Sequence, residues 1–129
     1  MAKLFDRAGA DAVVRRLQPL VFELVSLMRR HRKEAPGEES FNAATLWHRA
    51  DTAMLAHTRR LGRFYELVAV ITDAGAELKD PDTGLLDFRA QRHGREINLC
   101  WRLGEERINF YHELDQGFKQ RRTLDEDDA

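Results

Sequence analysis

The chain has 129 residues, 33% of them charged and 43% hydrophobic, with a formal net charge of -1. That length fits one domain, and the composition suits a globular protein with a heavily solvated surface. The near-zero net charge excludes a global electrostatic case for nucleic acid or an anionic membrane. Basic residues outnumber acids over residues 1–35, and the balance reverses afterwards. Cys100 is the single cysteine, so no intrachain disulfide can form. No apolar run approaches the roughly 20 residues of a membrane span. Asp6, Arg7, Asp11, Arg15 and Arg16 interrupt any leader-like apolar core. A reducing, cytoplasmic setting is the expectation.

The first predicted element starts at Asp6, a good N-cap residue. Apolar residues then recur at Ala10, Val13, Leu17, Leu20, Leu24 and Leu27 in alternating steps of three and four, which is helical spacing with a coiled-coil flavour. Pro19 predicts a kink or a restart, because it removes one backbone donor and crowds the preceding turn. Pro36-Gly37 predicts the stop. The basic cluster Arg29, Arg30, Arg32 and Lys33 reads first as complementation of the helix dipole. A nucleic-acid contact is an alternative, though no aromatic residues interleave with it.

A second helix is predicted from Ser40 to Asp73, with the seam Trp47, Ala50, Met54, His57, Leu61, Phe64, Val68 and Ile71, and Gly75 where a C-terminal cap would stand. At 1.5 Å per residue it is about 50 Å long. The short link predicts that the helices fold back as an antiparallel hairpin over residues 6–77. His31 and His57 lie in phase with the seams and read as interface histidines.

The stretch "LKDPDTGLLDF" ends the helical pattern. Pro81 blocks a helix and biases Asp80 to extended backbone, and Asp82-Thr83-Gly84 is turn chemistry. The apolar period then changes from 3.6 to 2. Strands are predicted at 85–92, 95–102 and 107–113, linked by two-residue turns at His93-Gly94 and Gly104-Glu105. The first turn sets Ala90 opposite Ile97, Phe88 opposite Leu99 and Leu86 opposite Trp101. The second sets Trp101 opposite Ile108, Leu99 opposite Phe110 and Ile97 opposite His112. The polar residues, Cys100 and Tyr111 then share the other face. A turn-rich extension follows, with an acidic disordered tail at 125–129. The fold class is α+β: an antiparallel hairpin of two long helices packed on a C-terminal three-stranded antiparallel β-meander, forming one domain over residues 1–124.

The segments "KDPDTGLLDF", "GREINLCWRLGEERINFYHELDQGF" and "QRRTL" resemble, in order, an uncharacterised bacterial family, domain of unknown function 2203. The resemblance covers residues 78–124, and the N-terminal half resembles that family only as a variable helical pair. It implies the same fold and carries no assigned activity or cofactor.

Candidate chemistry concentrates on the polar strand face. Asp87, Arg89, Asn98, Arg102, Tyr111, Arg121 and Arg122 could read an anionic or polar ligand, the arginines pairing with carboxylate or phosphate. The same residues also read as a water-facing sheet with modest cross-strand pairs. A third reading has "GFKQRR" crossing this face and pairing Arg121 or Arg122 with Asp87. His112 and Asp115 make a weak metal pair, because a defined site needs three or four donors. Cys100 beside Asp87 reads as a structural thiol, since a carboxylate opposes thiolate formation. Phosphate-loop and catalytic-triad patterns are missing, and no cofactor is expected. The sheet is about 25 Å long and cannot cover helices nearly twice that length. The expectation is therefore a non-enzymatic structural or interaction module that forms a homodimer through its helices. The alternatives are a small-ligand-binding domain or minor enzyme using the polar face, and a nucleic-acid contact at Arg29 to Lys33.

Overall fold

A computed structural model describes residues 3–34 and 43–125, the side chains at 34 and 43–53 aside. The expected stop at Pro36-Gly37, the start at Ser40, the side chains of the seam residues Trp47 and Ala50 and the tail beyond Asp125 lie outside what the structure describes. Helix α1 spans Arg7–Glu34 and α2 spans Ala43–Asp73. Asp6 caps α1 as its side chain predicts, its Oδ1 accepting the Gly9 N–H at 2.7 Å. Pro19 lies inside one helical span, so the expected restart does not occur. Arg63 of α2 reaches Glu23 of α1 through two bonds of 2.6 and 2.9 Å, and the rings of His31 and His57 meet at 4.3 Å. The later residue on one helix meets the earlier on the other, as antiparallel neighbours must.

Beyond the helices the chain forms five antiparallel strands in sequential order: β1 Glu77–Asp80, β2 Leu85–Arg92, β3 Arg95–Arg102, β4 Phe110–Glu113 and β5 Arg122–Thr123. The expected three-stranded meander thus gains a strand at each edge. Both additions are too short to show an alternating pattern of their own. β1 pairs with β2 around an irregularity between Leu78 and Asp80, and β5 supplies two residues beside β4.

The stretch from Asp80 to Gly84 turns the chain between β1 and β2. Asp80 organises it: its carboxylate accepts the Asp82 N–H and the Thr83 hydroxyl, and its carbonyl accepts the Gly84 N–H. Gly84 has φ +70, and a Cβ there would come within 2.8 Å of both Leu103 and Val21. The turn therefore seats directly on α1. Arg32, from the basic cluster, reaches Asp82 at 2.6 Å.

The β2–β3 register is the one that the His93-Gly94 turn implies, both turn residues having positive φ. The β3–β4 register differs by one residue. Leu99 faces Tyr111, Asn98 faces His112 and Cys100 faces Phe110. The turn is centred on Leu103-Gly104, with the Glu105 N–H bonded to the Arg102 carbonyl, and residues 105–109 continue as a loop. Helix α1 holds that loop out of the ladder: Asp11 accepts the Ile108 N–H and Arg7 donates to the Ile108 carbonyl. The third strand accordingly shrinks from 107–113 to Phe110–Glu113.

That slip exchanges the faces of β4. Tyr111 leaves the expected polar face for the core, where Arg92 lies over its ring at 4.5 Å. His112 leaves the apolar face for the polar one. The core joins Leu86, Phe88, Leu99 and Trp101 to Val14, Val21 and Leu24 of α1 and to Leu67 and Ile71 of α2. Among the described residues no helix is long and apolar enough to cross a membrane.

Candidate functional site

Side chains alternate along a strand, so the face of β2–β4 turned from the helices carries two cross-strand rows. Asp87, Cys100 and Phe110 make one; Arg89, Asn98 and His112 make the next. An outward face of an antiparallel sheet is commonly wet. Here Asp87, Asn98, Cys100 and His112 are all buried. The C-terminal segment covers them. Arg121 bonds Glu105 at 2.9 and 3.0 Å, and its guanidinium lies 3.9 Å from the Phe110 ring centre and 4.2 Å from that of Phe118. Arg102 adds a stacking contact on Phe118 at 5.0 Å. These cation–ring contacts hold the short Phe118–Gln120 turn against the sheet.

Beneath that cover, His112 and Asp87 form a buried pair at 3.0 Å between Nε2 and Oδ2. The other ring nitrogen fixes the proton count. Nδ1 lies 2.8 Å from the Glu113 carbonyl, which can only accept, so Nδ1 carries a hydrogen and donates. A carboxylate oxygen facing Nε2 then requires a second proton between them. Burial pushes the Asp87 carboxyl above its ordinary range, and the neighbouring His112 opposes that shift. Among the described residues the second oxygen, Asp87 Oδ1, accepts no N–H or O–H hydrogen bond, and neither does Asn98 Oδ1 on the same face; the Cys100 thiol is the weak donor beside the Asp87 carboxylate.

Cys100 completes the cluster. Its sulfur, a carboxylate oxygen of Asp87 and a ring nitrogen of His112 lie within 4.8 Å of one another. Burial pushes the thiol up to about 12, and the charge on Asp87 adds to the effect. A thiol so protonated is a poor nucleophile, which fits a structural Cys100 rather than a catalytic one.

The seven residues singled out in the sequence do not converge as a group. Asp87, Asn98 and Arg121 belong to the closed cluster. Arg89 pairs with Glu96 at 3.1 Å, Arg102 stacks on Phe118, and Arg122 is exposed on the edge strand. Tyr111 is in the core. Arg121 does cross the face, but its carboxylate partner is Glu105; Asp87 is taken by His112. Asp115 is exposed and stands apart from the metal-competent group, which comprises Asp87, Cys100 and His112. Sequence reasoning missed the roles of His112 and Glu105. His112 alternates correctly once β4 is shifted by one residue, but the shift depends on contacts from α1. Glu105 reads locally as a turn residue.

The fold and cluster define an α+β protein with a helix pair on one sheet face and a closed polar cluster on the other. Residues 3–124 match the family described as an uncharacterized conserved protein, DUF2203, and the chain belongs to that family. Comparison with curated proteins and with solved structures found no match.

Proposed function

We propose that this protein is a non-enzymatic interaction module that forms a homodimer through its helices. One observation carries the reading: an exposed, uncharged stripe on α2 formed by Leu55, Thr58, Gly62, Tyr65 and Ala69. The steps alternate between three and four residues, the spacing of a helix–helix seam. Leu55 and Tyr65 are 54% and 66% exposed. Threonine, glycine and alanine between them let a second helix approach closely.

The dimensions agree. The eight residues of β2 span about 27 Å, equal to about 18 helical residues. Past Val25, no described side chain of α1 is fully buried, and none between Met54 and Phe64 of α2 is either. The helix pair therefore overhangs its sheet, and a second pair docked on the overhang forms a four-helix bundle. Among the described residues Arg121 and Phe118 lie over the polar face, which supports the same reading.

Sedimentation equilibrium at micromolar concentration tests it. We expect the wild type to sediment as a dimer. Tyr65→Glu or Leu55→Glu, each at an exposed position, shifts the protein to monomer with an unchanged circular dichroism spectrum. Charge at the centre of such an interface weakens it at least about tenfold. A wild type that stays monomeric at tens of micromolar would overturn the proposal.

A further inference from the structure

We propose that Asp87, Cys100 and His112 are the protein ligands of one divalent transition-metal ion of the zinc type. The site lies apart from the helix overhang and does not depend on self-association. Three adjacent strands supply one donor each, and the donor atoms lie within 4.8 Å of one another. Ligands at zinc distances stand roughly 3.3–3.8 Å apart. An ion therefore needs the three side chains to rearrange by about 1 Å, within rotamer adjustment. Thiolate, imidazole and carboxylate together suit zinc and its neighbours, whereas magnesium and calcium prefer oxygen donors alone.

Two further features point to a cation. The Nδ1–H of His112 donates to the Glu113 carbonyl, which orients the ring and leaves Nε2 as the ligand, the usual outer support of a metal-bound histidine. Asp87 is 2% exposed, and among the described residues its Oδ1 accepts no N–H or O–H hydrogen bond, the weak thiol donor of Cys100 being the group beside the carboxylate. A buried carboxylate oxygen left without an N–H or O–H donor is costly, and a cation beside it removes that cost.

The exchange balances. Without metal, the cluster holds the proton shared by Asp87 and His112 and the proton on the Cys100 sulfur. A divalent ion bonded to Oδ1 or Oδ2, Sγ and Nε2 displaces both, so two protons leave as two positive charges arrive. The net charge of the buried cluster stays constant, and a bound divalent ion deprotonates a coordinating thiol. Phe118 and Arg121 cover the cluster, so the ion enters as the chain folds and leaves slowly.

The test refolds the full chain from denaturant with Co²⁺, desalts it and records its absorption spectrum. Cys100 is the only cysteine, so a thiolate-to-cobalt charge-transfer band reports this site alone. We expect one retained ion per chain, a near-ultraviolet charge-transfer band, loss of that band on adding Zn²⁺, and release of two protons per ion. Cys100→Ser abolishes the band, and His112→Gln weakens retention at least tenfold. Should either variant fail to fold, the wild-type spectrum still decides, because no other thiolate exists. A natively folded wild type that keeps no cobalt, or that keeps cobalt without the charge-transfer band, overturns the proposal.

Discussion

Replacing Gly84 by alanine tests the seat of the β1–β2 turn on α1. Two costs combine. The backbone there has φ +70, a region that costs an L-residue about 1–2 kcal/mol. The new Cβ would also lie 2.8 Å from the Leu103 Cβ, 2.8 Å from Val21 Cγ1 and 3.1 Å from Val25 Cγ2. All three neighbours are branched side chains close to their own backbones, so they yield little. Overpacking of this kind costs about 1–3 kcal/mol. The sum is about 2–5 kcal/mol, or on the order of 10 °C in Tm for a domain of this size. Gly94→Ala is the control. It has φ +78 and nothing within 4 Å, so it incurs the backbone cost of about 1–2 kcal/mol alone. Urea unfolding followed by circular dichroism gives both values. If Gly84→Ala proves as mild as Gly94→Ala, the turn does not rest on Val21 and Val25, and the placement of α1 on the sheet is wrong.

Other outcomes follow from the closed cluster. In protein refolded without metal, Asp87→Ala costs about 3–5 kcal/mol, because it strands one side of a buried charged pair. Changing Asp87 and His112 together to leucine recovers most of that loss, and urea midpoints for the single and double variants measure the difference. A double variant as unstable as the single would show that the pair is not the source. Cys100, with its thiol pushed up to about 12, resists alkylation in the native state. Near pH 8 the native rate with iodoacetamide falls on the order of a thousandfold below the rate in denaturant, from thiolate fraction alone. Comparable rates in the two states would place the sulfur outside the covered face.

The change of period at Pro81, the Asp6 cap and the His93-Gly94 hairpin were legible in the chain because each is set locally. A capping side chain reaches its own first turn, and a two-residue turn with positive φ at both positions fixes the pairing on either side of it. Leu85–Arg92 and Arg95–Arg102 therefore carry the expected register and bury the expected side chains. The helical seams were legible only in part: Ala10, Val13, Leu17, Leu24 and Ile71 are buried as their spacing implies, but Met54 of the predicted second seam is 57% exposed, and Val14, Val21 and Leu67, off the predicted seams, are buried instead.

Tertiary structure decided the rest. The bond from Ile108 to Asp11 joins residues 97 positions apart, and it is this grip, with that of Arg7, that turns residues 105–109 into a loop and shifts β4 by one. Because strand side chains alternate, one residue of shift moved Tyr111 into the core and set His112 against Asp87. No local pattern encodes a length of loop that a helix at the other end of the chain holds in place. The edge strands β1 and β5 are similarly too short to declare themselves, and they exist because β2 and β4 offer open backbone donors and acceptors beside them. Sequence determined which residues are apolar and where the backbone turns. Folding in three dimensions decided which polar side chains were enclosed together.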